Sequence, residues 1–265
     1  MSRVNPRIDG SIRYAIDQRV PGSWHLRLVR STIPSGRVTS VDTSLVEEGV
    51  LVITPEDARS YGTYGCQIED QQMLTEQPRF VGDPVLAVVA ATEQAARDAV
   101  AVIDVDYDET PAVFDEIEAI AATAPLVHAT HATSDSDSAY FDMRPQDGTN
   151  VCHRFRIRTS ALQGRTEPDL VIDPPALDDD PLRDAFAQAD VIVEDTFHVP
   201  AAAHVPMEPH ATTAQWVDGR LEVTTGTQTP FNLRQDLAGL FGLPTEGVRV
   251  VAPPMGGAFG AKTFM

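Results

Sequence analysis

The residues best suited to chemistry gather near the C-terminal end of the chain, in the run Gly256-Gly257-Ala258-Phe259-Gly260-Ala261-Lys262. Glycine reaches positive φ and lets a backbone approach a ligand with no side chain between them. Several amides of such a loop can converge on an anion or on the polar rim of a cofactor. Lys262 adds a charge able to neutralise a phosphate. Taken alone, a glycine-rich turn after a strand is a common structural device. Its spacing matches neither the phosphate loop GxxxxGK[ST] nor the dinucleotide fingerprint GxGxxG, so both of those readings fail. A second polar segment, Thr227-Gln228-Thr229-Pro230, lies at a strand end, and the helix and strand that follow lead into the glycine loop. A strand end and a loop presented by the neighbouring strand can face one ligand.

Two other groups invite a chemical reading. His198, His204 and His210 recur every six residues, but Val199-Pro200 and Val205-Pro206 interrupt any single strand that would align them. The reading is therefore packed or surface histidines, with no metal assigned. Glu208 sits between His204 and His210 and is read as a structural charge rather than a base.

The elements that must position these residues follow from periodicity and turn chemistry. Val50–Ile53 reads as a short strand, with Thr54 as N-cap and Pro55 at the first helical position. Val85–Ala90 is a near-continuous apolar run after the Gly82-Asp83-Pro84 turn. Thr92 caps a helix from Glu93 to about Val102. Ile103, Val105 and Tyr107 alternate with three aspartates, the signature of a strand with one wet face. Further on, Leu182, Ala185, Phe186 and Ala189 share a helical face, and Val191–Val193 predicts a strand. Ala211–Val217 and Arg220–Thr225 flank Asp218-Gly219, a hairpin signal. Thr229-Pro230 opens a helix carrying Leu233, Leu237, Leu240 and Phe241, ended by Gly242 and Pro244. Val248–Val251 supplies a last strand. Between the halves, residues from about 128 to 180 are acidic and proline-bearing, with one strand expected near Phe155–Ile157. The pattern predicts an α+β fold in three parts: 1–127, an acidic linker or insertion over 128–180, and 181–265.

Composition narrows the partners. The formal charge of −19, from 20 basic and 39 acidic residues among 265, repels phosphate backbones and anionic headgroups. Nucleic acid and membrane insertion are disfavoured, and a soluble cytoplasmic protein is expected. The two cysteines, Cys66 and Cys152, form no CxxC and cannot supply the four ligands of an iron–sulfur cluster. Any electron relay is expected on another polypeptide.

These segments together resemble the large, molybdopterin-binding subunit of the aldehyde oxidase/xanthine dehydrogenase family. Arg7-Ile8-Asp9-Gly10, Asp17 through Gly22, His25, Arg30-Ser31 and Pro34 resemble the opening of its a/b hammerhead domain. Arg79–Val85 is similar to its RxVGEPVA signature, and Asp106-Tyr107 with Pro111–Val113 to the ending of that domain. Phe186–Glu194 and Pro206-Met207-Glu208-Pro209 resemble the start of the molybdopterin domain. Thr227–Pro230 and Met255–Lys262 resemble its TQxP strand end and its GGGFGGK loop.

The resemblance implies an a/b hammerhead domain followed by a partial first molybdopterin-binding domain. It implies that Gln228 sets its side-chain amide beside the terminal oxygen of a molybdenum centre, as an oxyanion-hole donor does; a glutamine that merely satisfies local backbone groups is the alternative. Phe259 and Gly260 would offer backbone amides, with the Phe259 ring as an apolar wall, or as ordinary core. Gly256 and Gly257 would permit the close approach, and Lys262 would orient the loop. Ala258 and Ala261 replace glycines usual in the family, which is tolerable only where their φ stays negative. Thr263 stands where purine-oxidising members carry a glutamate, an argument against xanthine.

The family's second molybdopterin domain, with its glutamate base, has no counterpart before Met265, so no catalytic residue is assigned. The implied cofactor is a molybdopterin-type molybdenum cofactor, with iron–sulfur clusters and FAD only on partner chains. The implied partners are a complementing C-terminal chain, an iron–sulfur subunit, an FAD subunit, and an aldehyde or heterocycle substrate. A non-catalytic interaction module, or a truncated remnant of the subunit, is the competing expectation.

Overall fold

The computed structural model describes residues 5–65, 70–128, 146–152 and 186–263. A short helix α1 (Pro6–Asp9), capped by the Asn5 side chain, leads through a 3-10 turn at Ala15–Asp17 into the first sheets. Strands β1 (His25–Arg30), β2 (Gly36–Asp42) and β3 (Leu51–Ile53) are followed by α2 (Pro55–Ala58), whose N-cap is Thr54. The two-residue strands β4 (Thr63–Tyr64) and β5 (Gln71–Gln72) pair with each other. Then come β6 (Pro84–Ala90), α3 (Glu93–Val102), β7 (Asp104–Glu109) and α4 (Glu116–Ala119).

The apolar run predicted as a strand is the middle of a three-stranded antiparallel sheet, β1–β6–β3. Leu86 and Val88 pack with Ala99 of helix α3 and Ala87 with Ala58 and Leu74, so this strand loses water from both faces and is apolar without alternation. Val85, Leu86, Val88 and Ala90 are all at most 1% exposed. Helix α3 covers the sheet through Ala96 and Ala99, and starts where Thr92 Oγ1 accepts the Ala95 amide at 3.1 Å. Strand β7 turns Val105 and Tyr107 toward this core and its aspartates toward water. It pairs antiparallel with β2, where the Ser40 hydroxyl donates to Asp106 at 2.6 Å.

The second unit holds β8 (Thr212–Val217), β9 (Arg220–Thr225), α5 (Pro230–Leu240) and β10 (Val248–Val251). Asp218 and Gly219 both adopt positive φ, 49° and 79°, as a two-residue hairpin of the twist-matched type requires. Helix α5 ends in a left-handed Gly242, with Leu243 N donating to Ala238 O at 2.8 Å and Gly242 N to Gly239 O at 3.1 Å. The chain then returns as β10, parallel to β9, giving the order β10–β9–β8. Leu221, Val223, Ala238 and Val248 form the core between helix and sheet.

Several expectations meet a different outcome. The strand predicted over Val191–Val193 is not formed: these residues run without sheet pairing and are 78%, 57% and 87% exposed. An apolar run encodes a tendency to pair, but a strand exists only where a partner takes its backbone bonds, and none of the described residues does. Of the helix predicted from Leu182, only a single turn at 186–188 is described. Leu182, Ala185, the strand near Phe155–Ile157, Cys66 and most of the acidic 128–180 segment lie outside the described residues. No helix among the described residues is long and apolar enough to cross a membrane.

Candidate cofactor site

Parallel pairing decides where the candidate residues meet. Because β9 and β10 run in the same direction, their C-terminal ends reach the same edge of the sheet. Residues 226–229 and 252–263 therefore leave the sheet side by side. Backbone bonds fasten them together: Gln228 N donates to Lys262 O at 2.8 Å, and the Thr229 hydroxyl donates to Thr263 O. The structure thus brings Gln228 together with Gly256, Gly257, Phe259 and Gly260.

The side chain of Gln228 has a defined orientation. Its Oε1 accepts from Gly260 N at 3.0 Å and from Thr263 Oγ1 at 3.1 Å. A backbone N–H can only donate, so the oxygen must be the end facing Gly260. The Nε2 end then points away, exposed and without an acceptor among the described residues.

The loop itself is held in an unusual conformation. Gly257, Phe259 and Gly260 have φ of 103°, 54° and 99°, whereas Ala258 and Ala261 stay outside the left-handed region. The two alanines thus occupy positions a Cβ tolerates. A left-handed phenylalanine costs about 1–2 kcal/mol, and such strain persists only where surroundings enforce it. The Phe259 ring is 75% exposed and lies against Gly257, so it is not a core residue. The amides of Gly257, Ala258 and Phe259 find no acceptor among the described residues. Three free donors, a free glutamine amide and an exposed ring thus share one edge. Helix α5 starts beside Gln228 with no side-chain cap, so its positive end faces the same region.

Beneath the loop lies a buried ion pair. Lys262 Nζ donates to Glu208 Oε2 at 2.8 Å, and the two side chains are 1% and 4% exposed. The same oxygen accepts Gly256 N at 2.8 Å, while Oε1 accepts Ala15 N at 3.1 Å. Burial alone would raise the Glu208 pKa; the bonds from Lys262, Gly256 and Ala15 outweigh it and hold the carboxyl below its ordinary range. Gly256 is glycine because of this packing: a Cβ there would sit 2.8 Å from Glu208 Cβ and 3.5 Å from the Tyr14 ring.

Sequence reasoning singled out Gln228, the loop, Lys262 as the residue that orients it and Glu208 as a structural charge, but not the remaining supports. Thr263 and Thr229 orient the strand end, Tyr14 packs on Gly256, and Ala15 reaches Glu208 across 193 residues of sequence. His204 lies beside Gly260, where an added Cβ would be 3.3 Å from Nε2. No local pattern marks these contacts. His198, His204 and His210 form no ligand set: no group of three His, Cys, Asp or Glu side chains among the described residues could hold a metal ion.

Comparison with known proteins bears on what this edge serves. The a/b hammerhead domain of aldehyde oxidase and xanthine dehydrogenase matches residues 9–111. A molybdopterin cofactor-binding domain matches residues 167–265, the stretch that contains Glu208, Gln228 and the glycine loop. The chain belongs to the aldehyde oxidase and xanthine dehydrogenase family.

Its similarity to members runs through nearly its full length. It is 30% identical to a probable xanthine dehydrogenase subunit of Bacillus subtilis, across 98% of this chain and 31% of that protein. It is 26% identical to the nicotinate dehydrogenase large molybdopterin subunit of Eubacterium barkeri, across 97% of this chain and 52% of that one. The chain therefore spans a third to a half of the length of these two relatives. Among solved structures, quinoline 2-oxidoreductase from Pseudomonas putida superposes with a TM-score of 0.71 at 26% identity, over 97% of this chain and 30% of that chain. A Cu,Mo-CO dehydrogenase gives 0.73 over 98% of this chain and 31% of its own, and at 24% identity that likeness concerns the fold. The fold class is accordingly α+β, a hammerhead domain followed by part of a molybdopterin-binding domain.

Proposed function

We propose that this chain supplies part of the cofactor cradle of a molybdenum hydroxylase that oxidises an aldehyde or an aromatic heterocycle, with water as the oxygen source. The observation that carries this reading is a set of unpaired donors, Gln228 Nε2 and the amides of Gly257, Ala258 and Phe259, on two segments fastened side by side at one sheet edge. Such donors suit a ligand rich in acceptor oxygens, and a molybdopterin carries a phosphate, a polar ring and metal oxo groups. The residues present therefore fit the group. When bound, that group supplies the two-electron oxidation and oxygen transfer.

The chain's own contributions are binding and orientation. Gln228 donates from Nε2 toward developing negative charge, preset by Gly260 and Thr263 so that little reorganisation is needed. Gly256 makes room for Glu208 beneath the loop, and Gly257 lets the Phe259 ring lie close against the backbone. The Phe259 ring walls one side and excludes water there. Lys262, committed to Glu208, does not reach a phosphate; its role is to hold the loop. No residue of this chain is offered as the base.

The family's organisation supports partners in a complex: a chain bearing the remaining molybdopterin domain, an iron–sulfur subunit and an FAD subunit. The iron–sulfur clusters and FAD reside on those chains, and the complex works in the cytoplasm. Thr263, at the position of a purine-contacting glutamate, favours a substrate other than xanthine. The test is to purify the chain with the proteins it associates with, then measure molybdenum by mass spectrometry and oxidised pterin by fluorescence. Equimolar metal and pterin, with turnover of an aldehyde or heterocycle, is expected. An intact complex containing neither overturns the proposal.

A further inference from the structure

The buried carboxylate of Glu208 does more than neutralise a lysine. It has two oxygens and uses them on two different parts of the molecule. Oε1 accepts the Ala15 amide, which belongs to the 3-10 turn that precedes the hammerhead sheet. Oε2 accepts both Gly256 N and Lys262 Nζ, the two ends of the glycine loop. The backbone oxygen of Lys262 in turn receives the Gln228 amide, and the loop's Gly260 amide fixes the Gln228 side chain. An unbroken line of hydrogen bonds runs from Ala15 through Glu208 and the loop to Gln228.

We infer that Glu208 is a positioning residue that couples the hammerhead domain to the cofactor edge, setting the aim of Gln228 Nε2 and of the free loop amides. This rests on the reading of that edge as a cofactor cradle, but the coupling is a property of the chain itself. Two observations carry it. The pair is almost completely buried, so solvent cannot replace either partner. Gly256 leaves no room for movement, since even a methyl would press against Glu208 Cβ. A neutral amide cannot take over this task. Glutamine has one acceptor oxygen, so Glu208→Gln must release either Ala15 N or Gly256 N and leaves the Lys262 charge buried without its counterion.

The experiment compares wild type, Glu208→Gln, Lys262→Met and the double variant, each purified as the full complex, by amide hydrogen exchange resolved at Gly256 and Gly260. Both single variants are expected to exchange about tenfold faster or more at these amides, the loss of a hydrogen bond. Exchange in Val85–Ala90, the central strand of the hammerhead sheet, should stay as in wild type. The double variant removes the unpaired charge, so its unfolding midpoint should return toward wild type while loop exchange stays fast. A pair that only contributes stability would restore both together. In complexes loaded with cofactor, Glu208→Gln should lower kcat with KM little changed, and pterin content should stay constant. Unchanged exchange at Gly256 and Gly260 in the single variants overturns the coupling. If Glu208→Gln does not fold, Lys262→Met and the double variant decide the same question. Loosened loops in a complex that never holds pterin would retain the coupling and defeat the cradle. Pterin bound at full occupancy with no loosening would do the reverse.

Discussion

Replacing Gly256 with alanine isolates the steric part of this design. The new Cβ would lie 2.8 Å from Glu208 Cβ, about 1 Å inside the favourable carbon–carbon separation. Neither atom is the end of a flexible side chain, so relief must come from the backbone of one segment. Glu208 cannot retreat freely, because Ala15, Lys262 and Gly256 itself hold its carboxylate. Overpacking of this kind costs about 1–3 kcal/mol, which for a chain of this size corresponds to a lower unfolding midpoint by roughly 3–10 °C.

Gly242→Ala is the control. Unlike Gly256 it is left-handed, at φ 61°, but nothing lies within 4 Å of its added methyl. It should cost about 1 kcal/mol through backbone strain alone. Calorimetry reads the stability of both variants, and amide exchange at Gly260 reads the loop. Gly256→Ala should loosen the loop, and Gly242→Ala should leave it untouched. If the two variants give the same loop exchange, packing between Gly256 and Glu208 does not hold the loop and the reasoning is wrong.

Other outcomes follow from the same geometry. Glu208 is held below its ordinary value of 4.5, so its contribution is present above that pH and is lost as pH falls through the lower folded value; acid titration of Glu208→Gln should lack this loss. Buried Asp83 behaves oppositely, because desolvation raises its pKa above 3.8 despite the bond from Arg79 N and the nearby charges of Arg79 and Arg30. Its ionisation opposes folding above the raised value, so Asp83→Asn should increase the unfolding midpoint at pH 7, with the gain shrinking as pH approaches 3.8. Asp218→Asn should stabilise the hairpin by a few tenths of a kcal/mol, about the limit of a denaturant titration, since asparagine is the better left-handed residue there. Thr263→Val removes the Oγ1 bond that helps fix Gln228 Oε1, and should raise exchange at Gly260 N, which donates to the same oxygen, while leaving Gly256 N protected.

What the sequence reveals divides along local and non-local lines. Thr92 and the Ala-rich run define α3 because capping and periodicity act within four residues. Asp218-Gly219 and Gly242 announce their turns because few residues adopt those φ values. The edge where Gln228 meets the loop is legible only through the parallel β9–α5–β10 order, which places two strand ends together. Strands β1 and β2 are less visible, since their partners β6 and β7 lie more than 50 residues away in sequence. The Ala15–Glu208–Lys262 network has no local signature. A buried charge beside two prolines and a lysine within a glycine loop hint at partners, but only the folded backbone says which. Val191–Val193 shows the converse, a strand-like pattern with no neighbour among the described residues to complete it.

The central claim is that Gly257, Ala258, Phe259 and Gln228 Nε2 turn unpaired donors toward a molybdopterin-type cofactor. The most direct measurement compares amide hydrogen exchange in cofactor-loaded and cofactor-free forms of the same complex, resolved over residues 256–260. Loading should slow exchange at Gly257, Ala258 and Phe259, and leave the already bonded Gly256 little changed. Full cofactor occupancy with identical exchange at all of these amides would contradict the account.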